Sequence, residues 1–361
     1  MASFWPHWGE SVPRRQSYCW PVHTELGFYT LAGAPRSPRD MLDELAHAER
    51  LGLGTAFISE RFNIKEAGAL TGAACAATSS IDIVTAATNH TTRHPVVTAA
   101  WASTLHLLSE GRFSLGIGRG IEAMFRAFGM PLATTESMES FALLMRRLWN
   151  GETVLNHTDV TGTYPVLRLD PEFRLDIPLS ITAFGPRTLE LGGRIFDNVI
   201  LHTFFTDETT ARAVATVKNA AERAGRNPAD VRVWSCFATV GDHLPEPLRL
   251  KKTVGRLATY LQAYGDLMVS TNRWDPGVLG RFRQDPFVRG FAGALDAKAT
   301  TEELEHVATL IPDEWLAPSA QGSPAQCVAA VRNQLSLGCD GVIMHGASPT
   351  ELEPIIVAYS G

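Results

Sequence analysis

The chain has 361 residues, of which 45% are hydrophobic and 19% are charged, so it can bury a large core. Its formal net charge of −6 argues against nucleic acid or an anionic membrane as the main partner. No apolar run is long enough to span a bilayer, and the N-terminal residues lack the apolar core of a signal peptide. The sequence therefore predicts a cytoplasmic protein that binds a small molecule.

Short apolar runs alternate with amphipathic segments along the chain, as in folds built from βα units. Eight runs rich in Val, Ile, Phe and Leu are predicted to be buried parallel strands, at 26–31, 56–59, 83–88, 113–117, 179–182, 199–202, 231–238 and 341–344. The predicted helices between them include 38–51, 95–109, 136–149, 187–195, 208–224 and 324–337. Eight such units predict a TIM (β/α)8 barrel, although a doubly wound sheet shows the same alternation.

Helix start and stop signals support this assignment. Ser37-Pro38 and Ser323-Pro324 each place an N-cap residue before a proline at the first helical position. Glycine follows several helical patterns, at Gly52, Gly111, Gly225 and Gly338.

Two stretches do not follow the alternation. Residues 1–23 are predicted to form an N-terminal arm, and residues 245–320 an insertion over the C-terminal face of the barrel. Nothing in the composition divides the chain, so a single domain over 1–361 is expected. The insertion aromatics Trp274, Phe282, Phe287 and Phe291 are interpreted as the wall of an apolar pocket, with a dimer interface or a satellite core as alternatives.

The five cysteines fit neither a disulfide framework nor a metal site. Their number is odd, they are widely spaced, and they form no CxxC pair. A reducing compartment and no metal ligands are therefore predicted.

Residues 112–129, RFSLGIGRGIEAMFRAFG, carry the most informative local pattern. A hydrophobic strand runs into a glycine turn, and a helix begins behind it. Gly120 permits close approach of the backbone to a ligand, and Arg119 stands beside the helix N-terminus. This arrangement favours an anion such as a phosphate, while a solvated surface charge is the alternative for Arg119.

Several motifs in order resemble the bacterial luciferase-like superfamily of flavin and deazaflavin TIM-barrel enzymes, over residues 24–358. These motifs are AFISERF at 56–62, TAATNHTTRHP at 85–95, GIGRG at 116–120, ITAFGPRTLEL at 181–191, QGSP at 321–324 and GCDGVI at 338–343. The resemblance implies that a flavin lies across the barrel mouth. It also implies a cis peptide bond between Ala86 and Ala87, behind the ring.

The resemblance further implies which residues hold the cofactor. The phosphate is expected between two turns, and the ring against the end of the third strand; the residues concerned are Ala86, Ala87, Thr88, Asn89, Arg119, Gly120, Phe184, Gly185, Pro186 and Arg187. A surface position is the alternative for Arg187.

Two branches of this superfamily are considered. The patterns at 88–95 and 183–187 look more like the branch that binds coenzyme F420, a 5-deazaflavin, and transfers a hydride. The turn at 116–120 is shared with FMN-dependent two-component monooxygenases, which are the alternative. A non-catalytic flavin-binding barrel is the third possibility. Relatives of either branch imply a homodimer, and a flavin or F420 reductase as the redox supplier.

The candidates for proton transfer lie at the ends of predicted strands. Many relatives carry an acidic residue and a histidine after the second strand, where this chain has Glu60 and Arg61. Because arginine stays protonated, Arg61 is a poor proton shuttle and a good anchor for an oxygen atom. His202 and His345 end predicted strands and are the other catalytic candidates, with structural roles as the alternative.

The expected substrate is a small, apolar alcohol, carbonyl compound or activated alkene. Sugar-phosphate dehydrogenases of the superfamily carry a lysine in the loop after strand six. Here that loop begins with His202 and continues with Phe204 and Phe205, which disfavours a phosphorylated sugar.

Overall fold

A computed structural model describes residues 22–33, 35–62, 65–170 and 174–361. Most of the predicted N-terminal arm, with Trp5, Trp8, Cys19 and Trp20, lies outside these ranges. The strands are β1 (His23–Tyr29), β2 (Leu53–Ile58), β3 (Asp82–Thr85), β4 (Phe113–Ile117), β5 (Val154–Asp159), β6 (Gly162–Leu167), β7 (Leu179–Thr182), β8 (Asn198–Ile200), β9 (Arg232–Gly241), β10 (Ala320–Gly322) and β11 (Gly341–His345).

Eight of these strands close into a parallel barrel. They pair in the order β1, β2, β3, β4, β7, β8, β9 and β11, and β11 pairs back with β1. An open doubly wound sheet is thereby excluded, and the TIM barrel prediction is confirmed. The strand β10 pairs with β9 outside the ring, and β5 and β6 form a separate antiparallel hairpin.

Helices surround the barrel and form the segment between β9 and β10. They are α1 (Asp40–Arg50), α2 (Ala67–Ala77), α3 (Pro95–Leu108), α4 (Glu122–Ala127), α5 (Thr135–Trp149), α6 (Pro186–Ile195), α7 (Asp207–Arg223), α8 (Glu246–Leu250), α9 (Arg256–Asn272), α10 (Pro276–Gln284), α11 (Pro286–Gly290), α12 (Leu295–Lys298), α13 (Thr301–Ala308), α14 (Asp313–Leu316), α15 (Pro324–Ser336) and α16 (Pro349–Ser360). Short 3-10 helices cover His90–Thr92 and Pro228–Asp230, and a π-helix covers Lys251–Gly255. No helix in the described part of the chain is long and apolar enough to cross a membrane.

The barrel strands are buried on both faces, as the run Leu53–Ile58 illustrates. Successive side chains point to opposite faces of a strand. Ile58 therefore packs outward with the helices, and Phe57 packs inward, where its ring meets Trp234 edge-on at 5.1 Å between centroids. The inward cluster fills the barrel interior, so the ends of the strands rather than a central pore carry the site.

The predicted helix signals are mostly confirmed. Ser323 caps α15 by accepting a hydrogen bond from the backbone N–H of Gln326, and the four glycines after helices all have positive φ. The Ser37-Pro38 prediction is confirmed for the hydrogen bond of the cap, since Asp40 also accepts from Ser37 N–H at 3.3 Å, and wrong for the first residue of the helix. Residues 37–39 form a turn in which the Ser37 hydroxyl accepts from Arg39 N–H, and α1 begins only at Asp40.

The segment between β9 and β10 has its own hydrophobic core, which also includes Phe204 and Ala238 from the barrel. Phe282 is fully buried in that core, and Trp274 stacks on Trp315 at 4.5 Å. The interpretation as a pocket wall is therefore wrong for Phe282, and the other three aromatics, Trp274, Phe287 and Phe291, are partly buried against the same core. They form a satellite core, because the insertion must bury its own apolar faces to hold together.

Candidate active site

The ends of β3, β4 and β7 meet at one point of the barrel mouth. A Cβ atom at Gly118 would lie 2.4 Å from Thr182 Oγ1 and 2.9 Å from the Ala87 methyl group, so only glycine fits there. Gly118 N–H donates to Thr88 O at 3.0 Å, and Asn89 Nδ2 donates to Gly118 O at 2.9 Å. The Ala86–Ala87 peptide bond is cis, as predicted.

Glu60 supports this point from the neighbouring strand. One carboxylate oxygen accepts from Ala67 N–H at 2.9 Å, and the other accepts from Thr88 Oγ1 at 2.8 Å and from Arg93 at 3.3 Å. The side chain is only 2% exposed. Because both oxygens are engaged, these contacts favour a positioning role for Glu60, and its catalytic role stays a prediction.

Arg119, in the turn after β4, and Arg187, at the start of α6, lie near each other. Desolvation and then the charge of Arg187 lower the pKa of the Arg119 guanidinium. Gly185 is the N-cap of the ten-residue helix α6 and offers no side-chain acceptor to its first N–H groups. A Cβ atom at Gly185 would meet no atom within 4 Å, and Gly120 has φ of +71°. Two cations beside an uncapped helix N-terminus suit a phosphate.

The ring of Phe184 connects this turn to His202, at 4.5 Å between ring centroids. His202 Nδ1 lies 3.0 Å from Thr203 O, and Nε2 lies 2.9 Å from the Tyr264 hydroxyl. Since a carbonyl oxygen only accepts, Nδ1 carries the proton and Nε2 accepts from Tyr264. Burial lowers the pKa of His202 to about 4, so the ring is neutral near pH 7 with both nitrogens engaged.

His345, at the end of β11, has a different environment. Its ring meets Tyr29 edge-on at 5.4 Å, and among the described residues its buried Nδ1 has no hydrogen-bond partner. Burial and then the charge of Arg256 lower its pKa well below the usual range. Of the two predicted histidines, His345 is therefore the one with a ring nitrogen that makes no hydrogen bond to the described residues.

Arg61 donates through Nη1 to Gly33 O at 2.7 Å, so it holds the loop after β1. Its side chain is exposed to solvent. Desolvation and then Arg256 lower its pKa.

Three other polar side chains near these strand ends have structural contacts. His94 caps α3 by accepting a hydrogen bond from Val96 N–H at 3.3 Å. Glu122 pairs with Arg126 on the exposed face of α4. His90 is buried and lies 3.0 Å from the Ser137 hydroxyl.

The sequence reasoning did not identify Lys65, Arg256, Tyr260 and Tyr264, which all lie near the two histidines. Tyr260 meets the His202 ring edge-on at 4.9 Å, and Tyr264 donates to it. The last three belong to the segment between β9 and β10, whose path across the barrel cannot be read from periodicity. Lys65 could have been noticed from its spacing of four residues after Arg61. Among the described residues, no group of His, Cys, Asp or Glu side chains could hold a metal ion.

Known proteins share the sequence and the fold of this chain. The chain is 28% identical over 320 residues to the 5,10-methylenetetrahydromethanopterin reductase of Methanolobus tindarius, which covers 85% of this chain and 91% of that protein. The coenzyme F420-dependent tetrahydromethanopterin reductase of Methanopyrus kandleri has a similar structure, with a TM-score of 0.76 and 19% identity, covering 94% of this chain and all of that one.

An F420-dependent secondary alcohol dehydrogenase, solved with an F420-acetone adduct, has a TM-score of 0.66 at 17% identity and covers 94% of this chain and all of that one. At these identities the two structures establish the fold alone. The family model of luciferase-like monooxygenases matches residues 22–341. This chain therefore belongs to the luciferase-like monooxygenase family.

Proposed function

We propose that this chain is a coenzyme F420-dependent oxidoreductase that acts on an alcohol, a carbonyl compound or an activated alkene. The observation that carries this proposal is the similarity to a methylenetetrahydromethanopterin reductase along 85% of the chain. The structural likeness to two F420-dependent enzymes supports it.

The residues at the barrel mouth fit such a cofactor. Arg119, Arg187 and the uncapped N-terminus of α6 would hold its phosphate, because they supply two cations and free backbone donors. Ala86, Ala87, Thr88 and Asn89 would lie behind the ring, and Gly118, Glu60 and Arg93 fix their position. Coenzyme F420, when bound, gives or takes a hydride at its C5.

A proton must accompany the hydride, and His345 is the group we propose to move it. Its imidazole is neutral because burial and the charge of Arg256 oppose protonation. The unpartnered nitrogen of the neutral ring would take the hydroxyl proton as an alcohol is oxidised, and the lowered pKa makes the ring a weak base that readily gives this proton up again. His202 is less suited, since its Nε2 already accepts from Tyr264.

Binding of the cofactor tests the proposal. Purified protein is titrated with coenzyme F420, and in parallel with oxidised and reduced FMN, while cofactor fluorescence and absorbance are followed. We expect micromolar binding of the deazaflavin and no comparable binding of FMN. Preferential binding of reduced FMN would replace this proposal with the two-component monooxygenase, whose reductase partner would then be sought.

Turnover separates an enzyme from a non-catalytic flavin-binding barrel. Alcohols, ketones and enones are screened under anaerobic conditions for oxidation or reduction of the deazaflavin. His345→Gln is expected to retain cofactor affinity and lose turnover. The change removes a proton acceptor and leaves the proposed phosphate cradle, formed by Arg119, Arg187 and the N-terminus of α6, intact. If the wild-type protein binds the cofactor and turns over no compound of these classes, the non-catalytic barrel is favoured.

A further inference from the structure

Arg61 and Lys65 are two basic residues that follow β2 in the chain. Two backbone hydrogen bonds join them, from Arg61 N–H to Lys65 O at 2.8 Å and from Lys65 N–H to Arg61 O at 2.7 Å. Lys65 is 2% exposed, and its Nζ donates to Thr30 O at 3.1 Å. Both side chains thus reach the end of β1 at the barrel mouth.

Arg256 brings a third cation to the same place from the start of α9. It is 8% exposed, pairs with Asp296 at 3.1 Å and lies over the Tyr260 ring at 5.9 Å. Its charge acts on Arg61, on Lys65 and on His345, whose pKa values are all lowered first by burial and then by neighbouring cations. Two parts of the fold, the stretch after β2 and the start of α9, therefore direct positive groups toward one region.

The negative charges near these cations are fewer. Asp296 pairs with Arg256, and its charge also reaches Arg61. Glu44 acts on Lys65, but its own oxygen accepts from Thr30 Oγ1 at 2.6 Å and from Leu31 N–H at 2.7 Å. Three basic side chains thus face two carboxylates, and burial and the charge of Arg61 lower the pKa of Lys65 to about 7. Lys65 and Arg256 are buried, whereas Arg61 is exposed, so the positive charge that has no carboxylate partner among the described residues lies where an anion from solvent reaches it.

Unused hydrogen-bond donors also indicate an anionic ligand. Arg256 Nε is buried and has no hydrogen-bond partner among the residues that the structure describes. Lys65 has three N–H donors, of which Thr30 O takes one. A carboxylate or phosphate offers acceptors of the kind that these donors lack.

We propose that Arg61, Lys65 and Arg256 bind an anionic group of the substrate, a carboxylate or a phosphate, at the barrel mouth beside His345. This inference rests on the proposed function and replaces the expectation of a wholly apolar substrate. The site lies apart from the proposed cofactor-phosphate residues, because Arg61 and Lys65 donate to the carbonyls of Gly33 and Thr30 after β1, whereas Arg119 donates to Ala133 O.

The acidic tail of the cofactor also carries anionic groups. The experiment must therefore distinguish an anionic group of the substrate from one of the cofactor. Cofactor-free protein and protein saturated with oxidised F420 are titrated calorimetrically with inorganic phosphate, oxalate and phenylglyoxylate, and with phenylglyoxylate methyl ester. The acid, but not its ester, is expected to bind in both forms. Absence of binding by all three anions would overturn the proposal.

Neutral variants then locate the anion. Arg61→Gln, Lys65→Met and the double change Arg256→Gln with Asp296→Asn are each expected to weaken anion binding by about tenfold or more, the loss of one charge-assisted hydrogen bond. The double change avoids leaving Asp296 buried without its partner. Arg289→Gln, an exposed arginine of the same segment, is the matched control.

The affinity for F420 is measured in the same variants. Unchanged F420 affinity with weakened anion binding supports a substrate site. If the variants lose F420 affinity as Arg119→Gln does, the anion belongs to the cofactor and the substrate proposal is wrong. Anion binding by a protein that fails to bind F420 would overturn the proposed function and leave the anion site standing.

Discussion

His202 Nε2 lies 2.9 Å from the hydroxyl of Tyr264, and this hydrogen bond joins the end of β8 to the kink in α9. The kink is visible in the backbone, since Tyr264 has φ of −154° and ψ of 38° inside the helix. The bend and the hydrogen bond together hold the segment between β9 and β10 against the barrel.

Tyr264→Phe is expected to lower the free energy of unfolding by about 1–3 kcal/mol, because it leaves a buried acceptor without its donor. Urea unfolding measures this change. In the His202→Asn background the same substitution should cost much less, and a double-mutant cycle gives the coupling. Additive effects of the two substitutions would show that the hydrogen bond contributes nothing.

Arg119→Ala is expected to weaken F420 binding by about 1.5–3 kcal/mol, the range for a hydrogen bond to a charged group. Fluorescence titration measures the affinity. Arg126→Ala is the control, because Arg126 pairs with Glu122 on an exposed helix face near the same turn. Equal affinities of the Arg119 variant and the wild type would contradict the phosphate assignment.

Two glycine substitutions separate packing from ligand binding. Gly118→Ala should destabilise the fold, because its methyl group would overlap Thr182 and Ala87. Gly185→Ala should leave thermal stability nearly unchanged, since nothing lies within 4 Å of the added atom, and should weaken F420 binding by filling the cradle. Normal cofactor affinity in the Gly185 variant would place the phosphate elsewhere.

Buried neutral histidine makes stability depend on pH. Burial lowers the pKa of His90 from 6.5 to about 4. Between these values the unfolded chain binds more protons, so the contribution is present above pH 6.5 and is lost as the pH falls toward 4. The free energy of unfolding, measured with urea at several pH values in this range, should change less steeply with pH for His90→Gln than for the wild type. His243→Gln, at an exposed histidine, is the control, and identical slopes for all three proteins would contradict the prediction.

The barrel could be predicted because its strands are short apolar runs with strong local signals. The strands at 113–117 and 179–182 were placed at their observed bounds. The predicted strand 83–88 instead ends at Thr85, and the Ala86–Ala87 bond that follows it is cis. The hairpin of β5 and β6 was missed, although Asp159 and Gly162 mark its turn.

The candidate site could be predicted only in part. The glycine turn and the strand-end histidines follow from local motifs, and the cis bond follows from the resemblance to the luciferase-like superfamily. The partners of those histidines do not, because Tyr264 and His202 are 62 residues apart and meet only through tertiary packing. Likewise, the sequence gives no means of telling that His202 has both nitrogens engaged while His345 Nδ1 is free.

The helical segment between β9 and β10 has a core of its own and touches the barrel through a few residues such as Phe204 and Ala238. It supplies Arg256, Tyr260 and Tyr264, whereas the proposed phosphate cradle comes from the loops after β4 and β7. The two proposed halves of the site therefore come from different parts of the chain. Exchanging this cover among related barrels would change which molecules are accepted without rebuilding the redox machinery beneath it.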